Sequence, residues 1–462
     1  MKKMRNMLKT LIYSKLFLLL LLVTNPYLTN SSELVEIELP KEVIKDFQSG
    51  NVENVYSKFD SSVAKILPPH RLAPIWSQLI ANYGEFIGFG LQDTTSKGDN
   101  LIINTDLDYE KAIMNFMLSV NKQTNRISGI YFSEQEKKNI GSEIEKPLPT
   151  YIDTTKFQEE DIVIKDIFDL KGKLTLPKSQ TNKIVFVLVH GSGPNDMDGT
   201  LGENKFLKNL AWGLSSIGFS TIRYNKITKR HGQKLVEKNP GMTQSDEYDN
   251  SIKGAIEFVR TTPKLKDFNI FLVGHSQGAS AITSFSSNNE IKGLILLAGT
   301  PRKLYDLYTE QLEYIFNIDG IVRPSERTII EEHKNKIGYY KNYKKGIIEK
   351  DSLPMNLSIE YLRYLDDFNP ISNLKESEKP ILILNCGHDY QVTKTDFDIW
   401  KSNLSSKSNV TLKYLDKLNH IFAETETMAV PADYQKYTPI SNILFDEVLH
   451  WINSNYKDLY EN

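Results

Sequence analysis

Only one of the 462 residues is cysteine. Cys386 therefore has no partner within the chain for a disulfide, and every metal or redox motif that needs two cysteines is excluded. A surplus of either charge is also missing: 56 lysines and arginines stand against 58 aspartates and glutamates, a formal net charge of −2. A chain so balanced carries no overall electrostatic sign of nucleic acid or an acidic polymer as partner. No stretch recurs with the period of a repeat architecture. What is present is ordinary for a soluble globular protein, 40% hydrophobic and 25% charged residues. The length exceeds that of one usual hydrophobic core and favours two domains, with room for a leader.

A leader is what the amino terminus predicts. In "MKKMRNMLKTLIYSKLFLLLLLVTNPYLTN", Lys2, Lys3, Arg5, Lys9 and Lys15 precede the apolar run Leu16 to Val23, which is the layout of a secretory signal. The run falls short of the roughly 20 apolar residues of a relaxed transmembrane helix, and an almost pure leucine block lacks the two-sidedness of a buried amphipathic helix. No Ala-x-Ala site follows and no cysteine is available for lipid attachment. Residues 1–32 thus read as a signal peptide or an uncleaved amino-terminal anchor. The expected location is the periplasm, the cell surface or the medium, with membrane association through this segment if it is kept.

Residues 36–132 open with a helical pattern, "LPKEVIKDFQSGNVENVYSKF", and a second helix, "RLAPIWSQLIANYG", after Pro68-Pro69. Strand-like runs separated by turn pairs follow, "GLQDTTSKGDN", "LIINTDLDY", "KAIMNFMLSV" and "RISGIYF". Helices first and an antiparallel sheet afterwards make a small α+β domain. It resembles the helix-then-sheet domain, of the nuclear-transport-factor-like cone type, that precedes the hydrolase domain in some bacterial exported hydrolases. It holds no catalytic cluster; His70 sits beside two prolines without a nameable partner, and a packing or substrate-presenting module is the reading. Residues 133–156 turn polar, lose periodicity and read as a linker.

From residue 157 the pattern changes. "DIVIKD" and "LKGKLTLP" read as an antiparallel pair. Buried strands then alternate with amphipathic helices: "KIVFVLVH", "ENKFLKNLAWGLSSIG", "FSTIRYN", "SDEYDNSIKGAIEFVRTT", "NIFLVGHS", "GASAITSFSSNN", "IKGLILLAG". Continuous β-branched runs with helices between them indicate a parallel sheet covered on both faces, an α/β domain and a doubly wound one. Within it, Gly274-His275-Ser276-Gln277-Gly278 lies at a strand-to-helix turn. A bare Gly-x-Ser-x-Gly arises easily by composition. The strand before it and the helix after it supply the context of a nucleophile elbow, where flanking glycines let a sharp turn lift the serine hydroxyl out of the sheet.

On these residues, 157–462 resemble the α/β-hydrolase superfamily, in particular its bacterial esterase and serine-aminopeptidase-like branch. The resemblance implies a triad in the order Ser, then Asp or Glu, then His. Of the eight histidines, His420 and His450 lie far enough downstream. His450 falls in the amphipathic helix "NILFDEVLHWINSNY", where a structural role is expected, whereas His420 in "LKYLDKLNHIF" follows a strand in a loop resembling the family's histidine loop. The run Gly387 to Val392 after the strand "KPILIL" looks like the family's Gly-x-x-Asp-x-x-Val acid loop and makes Asp389 the acid. Asp366, Asp367, Asp396 and Asp398 read as helical or pre-helical and solvated, and His388 as a distractor. Ser276 would be the nucleophile, His420 its base, and Asp389 the group that holds the imidazole.

The family's oxyanion hole implies two backbone donors, the N–H of Gln277 and, from "HGSGPNDMDG", the N–H of Ser192. That loop has neither the Lys-Ser/Thr ending of a P-loop nor the spacing of a dinucleotide fingerprint. No cofactor or metal is implied. His190 and His275 abut the two turns and read as structural, and Arg223 and Lys226 in "RYNKITKRHG" are candidates for substrate contact. The insertion at about 300–379 reads as helices; in this family such an insertion forms a lid. Its tyrosines and lysines either line a pocket for polar or anionic substrates or serve as packing and a solvated face. The function expected is a serine hydrolase of carboxylic esters acting on a small-molecule ester. An amide or thioester substrate on the same triad, in an aminopeptidase-like peptidase or a thioesterase, remains open. So does a catalytically silent hydrolase fold used for binding.

Overall fold

The computed structural model describes residues 33–134, 148–343 and 352–456, apart from positions 74, 111, 180 and 181. The leucine-rich segment 1–32 and residues 135–147 of the polar stretch lie outside the described residues. The chain divides into two compact units after Pro147.

The first unit runs α1 (Glu33–Ser49), α2 (Val52–Ser57), α3 (Ser61–Ile66), α4 (Pro69–Leu72) and α5 (Ile75–Tyr83). An antiparallel meander follows, β1 (Phe86–Lys97), β2 (Asn100–Tyr109), β3 (Ile113–Asn121) and β4 (Ile127–Glu134). The helical pattern that looked continuous in sequence breaks between α1 and α2 at Gly50, whose φ of 74° only glycine adopts freely. Burial alternates strictly along β3, as expected for a sheet with one face on a core. Val43, Ile44, Phe47 and Val55 of the helices meet Ile103, Phe116 and Leu118 there.

The second unit is built on an eight-stranded sheet in the order β14-β13-β12-β11-β7-β10-β6-β5. The strands are β5 (Phe157–Ile164), β6 (Leu170–Pro177), β7 (Ile184–Val189), β10 (Ser220–Tyr224), β11 (Asn269–His275), β12 (Ile291–Leu297), β13 (Ile381–Cys386) and β14 (Val410–Leu415); β8 (Thr200–Leu201) and β9 (Asn204–Lys205) form a separate small ribbon. β5 and β6 are antiparallel, and the other six strands run parallel. All six residues of β7 are buried. Val185, Val187 and Val189 pack on one face with Tyr248, Ile252 and Trp400. Ile184, Phe186 and Leu188 pack on the other with Phe206, Leu210 and Phe445. A sheet covered on both faces follows, with helices α6 (Phe206–Ser216), α7 (Ile227–Lys238), α8 (Gln244–Thr261), α9 (Gln277–Ala281), and beyond the insertion α14 (Lys394–Leu404) and α15 (Asn442–Asn455). After β7 the chain adds β10 on one side and then returns to add β11 on the other. The crevice at the carboxyl ends of β7 and β11 is therefore a topological switch point, where open α/β sheets hold their ligands.

Between β12 and β13 the described residues form α10 (Leu304–Phe316), α11 (Pro324–Asn342), α12 (Ile359–Asp367) and α13 (Pro370–Lys375). The first three share a core that includes Tyr305, Tyr340, Tyr361 and Leu362, whereas Leu374 of α13 packs into the core on one face of the sheet. The hydroxyls of Tyr305 and Tyr340 both donate to Asp366, each at 2.6 Å, so these tyrosines are packing, while Asp366 is helical and exposed as read. Asp396, by contrast, is not solvated: it is fully buried and accepts from Arg302 and from the Thr393 N–H that it caps. Its partner Arg302 arrives from the start of the insertion, 94 residues away in sequence. Lys334 and Lys341 pair with Glu313 and Asp306 at the surface, as a solvated face does. Residues 148–156, read as linker, are packed on this unit, with the Tyr151 ring 4.5 Å from Phe445 and its hydroxyl accepting from the Ile440 N–H. Among the described residues no helix is long and apolar enough to cross a membrane.

Candidate active site

β11 ends at His275, and the chain reverses at Ser276 with φ 55° and ψ −123° before α9 begins at Gln277. That conformation is costly for any residue with a Cβ. It is fixed from β12, whose Leu297 carbonyl accepts the Ser276 N–H at 2.8 Å. The glycines on either side are required by close approach: a Cβ at position 274 would lie 2.4 Å from the Gly278 carbonyl oxygen, and one at 278 would lie 2.1 Å from that of His190. Strand, turn and helix are thus pressed together until no side chain fits between them.

The acid and histidine loops follow the next strands of the sheet. Asp389, buried after β13, places Oδ2 2.6 Å from His420 Nδ1, while its Oδ1 accepts the N–H groups of Gln391 and Val392 at 2.7 and 3.1 Å. The carboxylate is therefore held from its backbone side and spends one oxygen on the imidazole. His420, buried after β14, is carried beside the elbow: its carbonyl lies 2.8 Å from His275 Nε2, and the two imidazole centroids are 4.8 Å apart. The loops are stitched to each other, with the His388 N–H donating to the Leu418 carbonyl at 2.9 Å. The His388 side chain itself is held by Thr425. His450 is on the exposed side of α15.

The fourth element is the loop His190 to Gly193 after β7. A Cβ on Gly191 would be 3.1 Å from Ser276 Cβ, so this loop lies directly against the serine. Burial pushes the imidazoles of His190 and His275 down to about 3, helped at His190 by Lys226 and at His275 by His420. Both are neutral at pH 7 and sit in the backbone turns as the structural groups their positions suggested. Among the described residues no group of three or more His, Cys, Asp or Glu is arranged to hold a metal ion.

The described residues thus combine a small α+β unit with a mostly parallel sheet, where the loops that carry Asp389 and His420 meet beside the turn at Ser276. The chain is 30% identical over 412 residues to Esterase EstD of Thermotoga maritima, covering 88% of this chain and 93% of that protein. It belongs to the α/β-hydrolase superfamily, in the family of Esterase EstD. A family model described as a protein of unknown function, DUF3887, matches residues 41–130, within the first unit. Among solved structures it is similar to an esterase of Pyrococcus furiosus (TM-score 0.40, 12% identity, 65% of this chain and 91% of that one). It is also similar to the acylaminoacyl peptidase of Pyrococcus horikoshii (TM-score 0.43, 14% identity, 79% of this chain and 56% of that one).

In this α/β-hydrolase two candidates for substrate contact are otherwise engaged. Arg223 is buried in β10, with its guanidinium bonded to Glu159 and Asp198. Lys226 is also buried, its Nζ 2.7 Å from Glu247 and 2.8 Å from the Tyr248 hydroxyl. Their charge made them candidates for substrate contact, but the acids that pair with them come from β5, the loop after β7, and α8. Sequence reasoning also missed residues that border the serine. The Gln277 side-chain amide donates to Gln244 at 3.0 Å and to the Tyr361 hydroxyl at 3.2 Å, so the insertion reaches the residue after Ser276. A narrow pocket at this junction is lined by Gln277, Ser280, Thr300, Leu365 and Phe368. Only the long connection before "KPILIL" signalled that such a contact was available.

Proposed function

We propose that the protein is a serine hydrolase of carboxylic esters that works through an acyl-enzyme. The observation that carries the reading is the 2.6 Å bond between Asp389 and His420 in loops beside a serine held at φ 55°. A serine hydroxyl is a poor nucleophile at neutral pH, and His420 Nε2 takes its proton as Ser276 Oγ attacks the ester carbonyl. Asp389, on Nδ1, keeps the imidazole in the tautomer whose Nε2 is free to accept and stabilises the imidazolium that forms. Negative charge then develops on the carbonyl oxygen. The N–H of Gln277, which as the first residue of α9 has no intrahelical acceptor, and the N–H of Ser192 receive it. The imidazolium protonates the departing alkoxide, and a water activated by the same histidine releases the acid. The relative's name, Esterase EstD, favours the ester bond over an amide or thioester. The insertion serves as a lid, on the strength of the Tyr361 contact to Gln277.

A fluorophosphonate probe should label the wild type and leave Ser276→Ala unlabelled; equal labelling of both would remove the nucleophile. p-Nitrophenyl acetate and butyrate should be hydrolysed faster than aminoacyl p-nitroanilides, and turnover of the anilides alone would make the protein a peptidase. Absence of both labelling and turnover would leave a silent binding fold. The basic-then-leucine layout of residues 1–32 supports export, and recovery of the full chain in the cytosolic fraction would refute that.

A further inference from the structure

We infer that Lys226 and Tyr248 are positioning residues that aim the Ser192 N–H at the site where the oxyanion forms; the inference rests on the ester-hydrolase reading above. The Gly191–Ser192 peptide, like the others of the described residues, is trans, and a trans peptide is close to planar. The Gly191 carbonyl and the Ser192 N–H therefore point in opposite directions. Whatever fixes the carbonyl fixes the donor. Three groups hold that carbonyl: the Tyr248 hydroxyl at 2.8 Å, the Asn195 amide at 3.2 Å and the Lys226 ammonium at 3.3 Å. Gly191 itself is against Ser276, so turning this one peptide would turn an N–H of the loop that borders the serine.

The brace is also saturated. The ammonium has three protons and three acceptors: Gly191 O, the Tyr248 hydroxyl at 2.8 Å and Glu247 Oε2 at 2.7 Å. No proton is left to bind substrate and none is free to rotate away. The Tyr248 hydroxyl accepts from Lys226 and gives its own proton to Gly191 O. The Lys226 backbone N–H meanwhile donates to the Asn195 carbonyl at 3.1 Å, and the Asn195 amide returns to the carbonyl of Ser192 at 2.8 Å. A turn carbonyl needs only one donor to be satisfied. Here it has three, one of them a buried ammonium whose desolvation is costly unless paired. That excess fits a peptide that must not rotate while charge builds beside it, the preorganisation that oxyanion stabilisation requires. The cation behind the carbonyl further polarises the peptide and strengthens Ser192 as a donor.

The test is p-nitrophenyl acetate turnover per active site, with sites counted by fluorophosphonate titration, in Lys226→Met and Tyr248→Phe. A misaimed donor should lower kcat about 10- to 100-fold in Lys226→Met and about 3- to 10-fold in Tyr248→Phe, with KM within about twofold of wild type. A trifluoromethyl ketone, which forms an oxyanion adduct on the serine, should lose affinity by the same factor as kcat/KM. A purely structural role would change the thermal midpoint and the titratable fraction and leave these ratios alone. If Lys226→Met does not fold, because Glu247 is left without its partner, the Tyr248→Phe arm, which removes one oxygen, decides alone. Variants with wild-type kcat per site, or with a loss confined to KM, overturn the proposal while the active wild type keeps the ester-hydrolase reading intact. A wild type that neither labels nor turns over the ester overturns that reading, and the brace with it.

Discussion

The two loops that close on Ser276 from opposite sides are held by different means. On the Asp389–His420 side the fixings are mainly backbone: His388 N–H to Leu418 O, Ala429 N–H to His388 O, and Asp389 Oδ1 to the N–H groups of Gln391 and Val392. On the Gly191–Ser192 side they are buried side chains, Lys226, Tyr248 and Asn195, converging on one carbonyl. On the mechanism proposed above, the difference matches what each side would have to do. A proton would cross the first, where the main chain is clamped and the imidazole keeps one side-chain partner, Asp389. The second would have to stay still, and there the Gly191–Ser192 peptide is itself gripped.

Experiments that break each side should separate these two modes. Asp389→Asn keeps an acceptor for the backbone donors but offers the imidazole the wrong partner; kcat for p-nitrophenyl acetate should fall about 10⁴-fold, with the chain still folded by circular dichroism. Gly278→Ala attacks the Gly191–Ser192 side, because its methyl would lie 2.1 Å from the His190 carbonyl; an overpacked contact of this kind should cost about 1–3 kcal/mol in urea denaturation and shift the loop that starts there. Next comes acid. His190 and His275 are buried neutral with pKa values pushed down to about 3 from 6.5. Between pH 6.5 and 3 the unfolded chain binds protons that the folded chain refuses. Stability is therefore whole above pH 6.5 and declines as the pH falls toward 3, by at most about 1.4 kcal/mol per pH unit for each histidine. Thermal midpoints measured from pH 7 to 4 should follow that slope, and His275→Gln should flatten it. The smallest effect belongs to Tyr361→Phe, which removes one donor–acceptor contact from Gln277 at the insertion; kcat should change less than about threefold, and a larger change would give the insertion a part in holding the donors.

The same division explains what could be read in the chain beforehand. Ser276 could be picked out because a local backbone rule announces it, glycines where a strand turns into a helix, whereas Asp389 and His420 were picked out by the resemblance of their loops, each after an apolar strand, to the family's acid and histidine loops. The alternation of buried strands with amphipathic helices likewise revealed the parallel sheet. Lys226 and Arg223 were read as candidates for substrate contact because their partners, Glu247 and Glu159, lie in other elements, and Asp396 as solvated because Arg302 arrives from 94 residues away. Tyr248, inside "SDEYDNSIKG", carries no local signal at all. Pairings across the fold set those environments, and one sequence does not record them. The break at Gly50 was visible as a residue, but not as the positive φ that ends α1.

The backbone at Ser276, with φ 55° and ψ −123°, has a consequence for heredity as much as for chemistry. Glycine adopts that conformation freely, whereas any other residue holds it at a cost of about 1–3 kcal/mol, only partly offset by glycine's greater freedom in the unfolded chain. Judged on stability alone, position 276 should be glycine. A library of this protein screened only for heat resistance should therefore enrich Ser276→Gly and drift toward sturdy chains without a hydroxyl at the elbow. Retaining the serine in such a library should require a second selection for the hydrolysis proposed above.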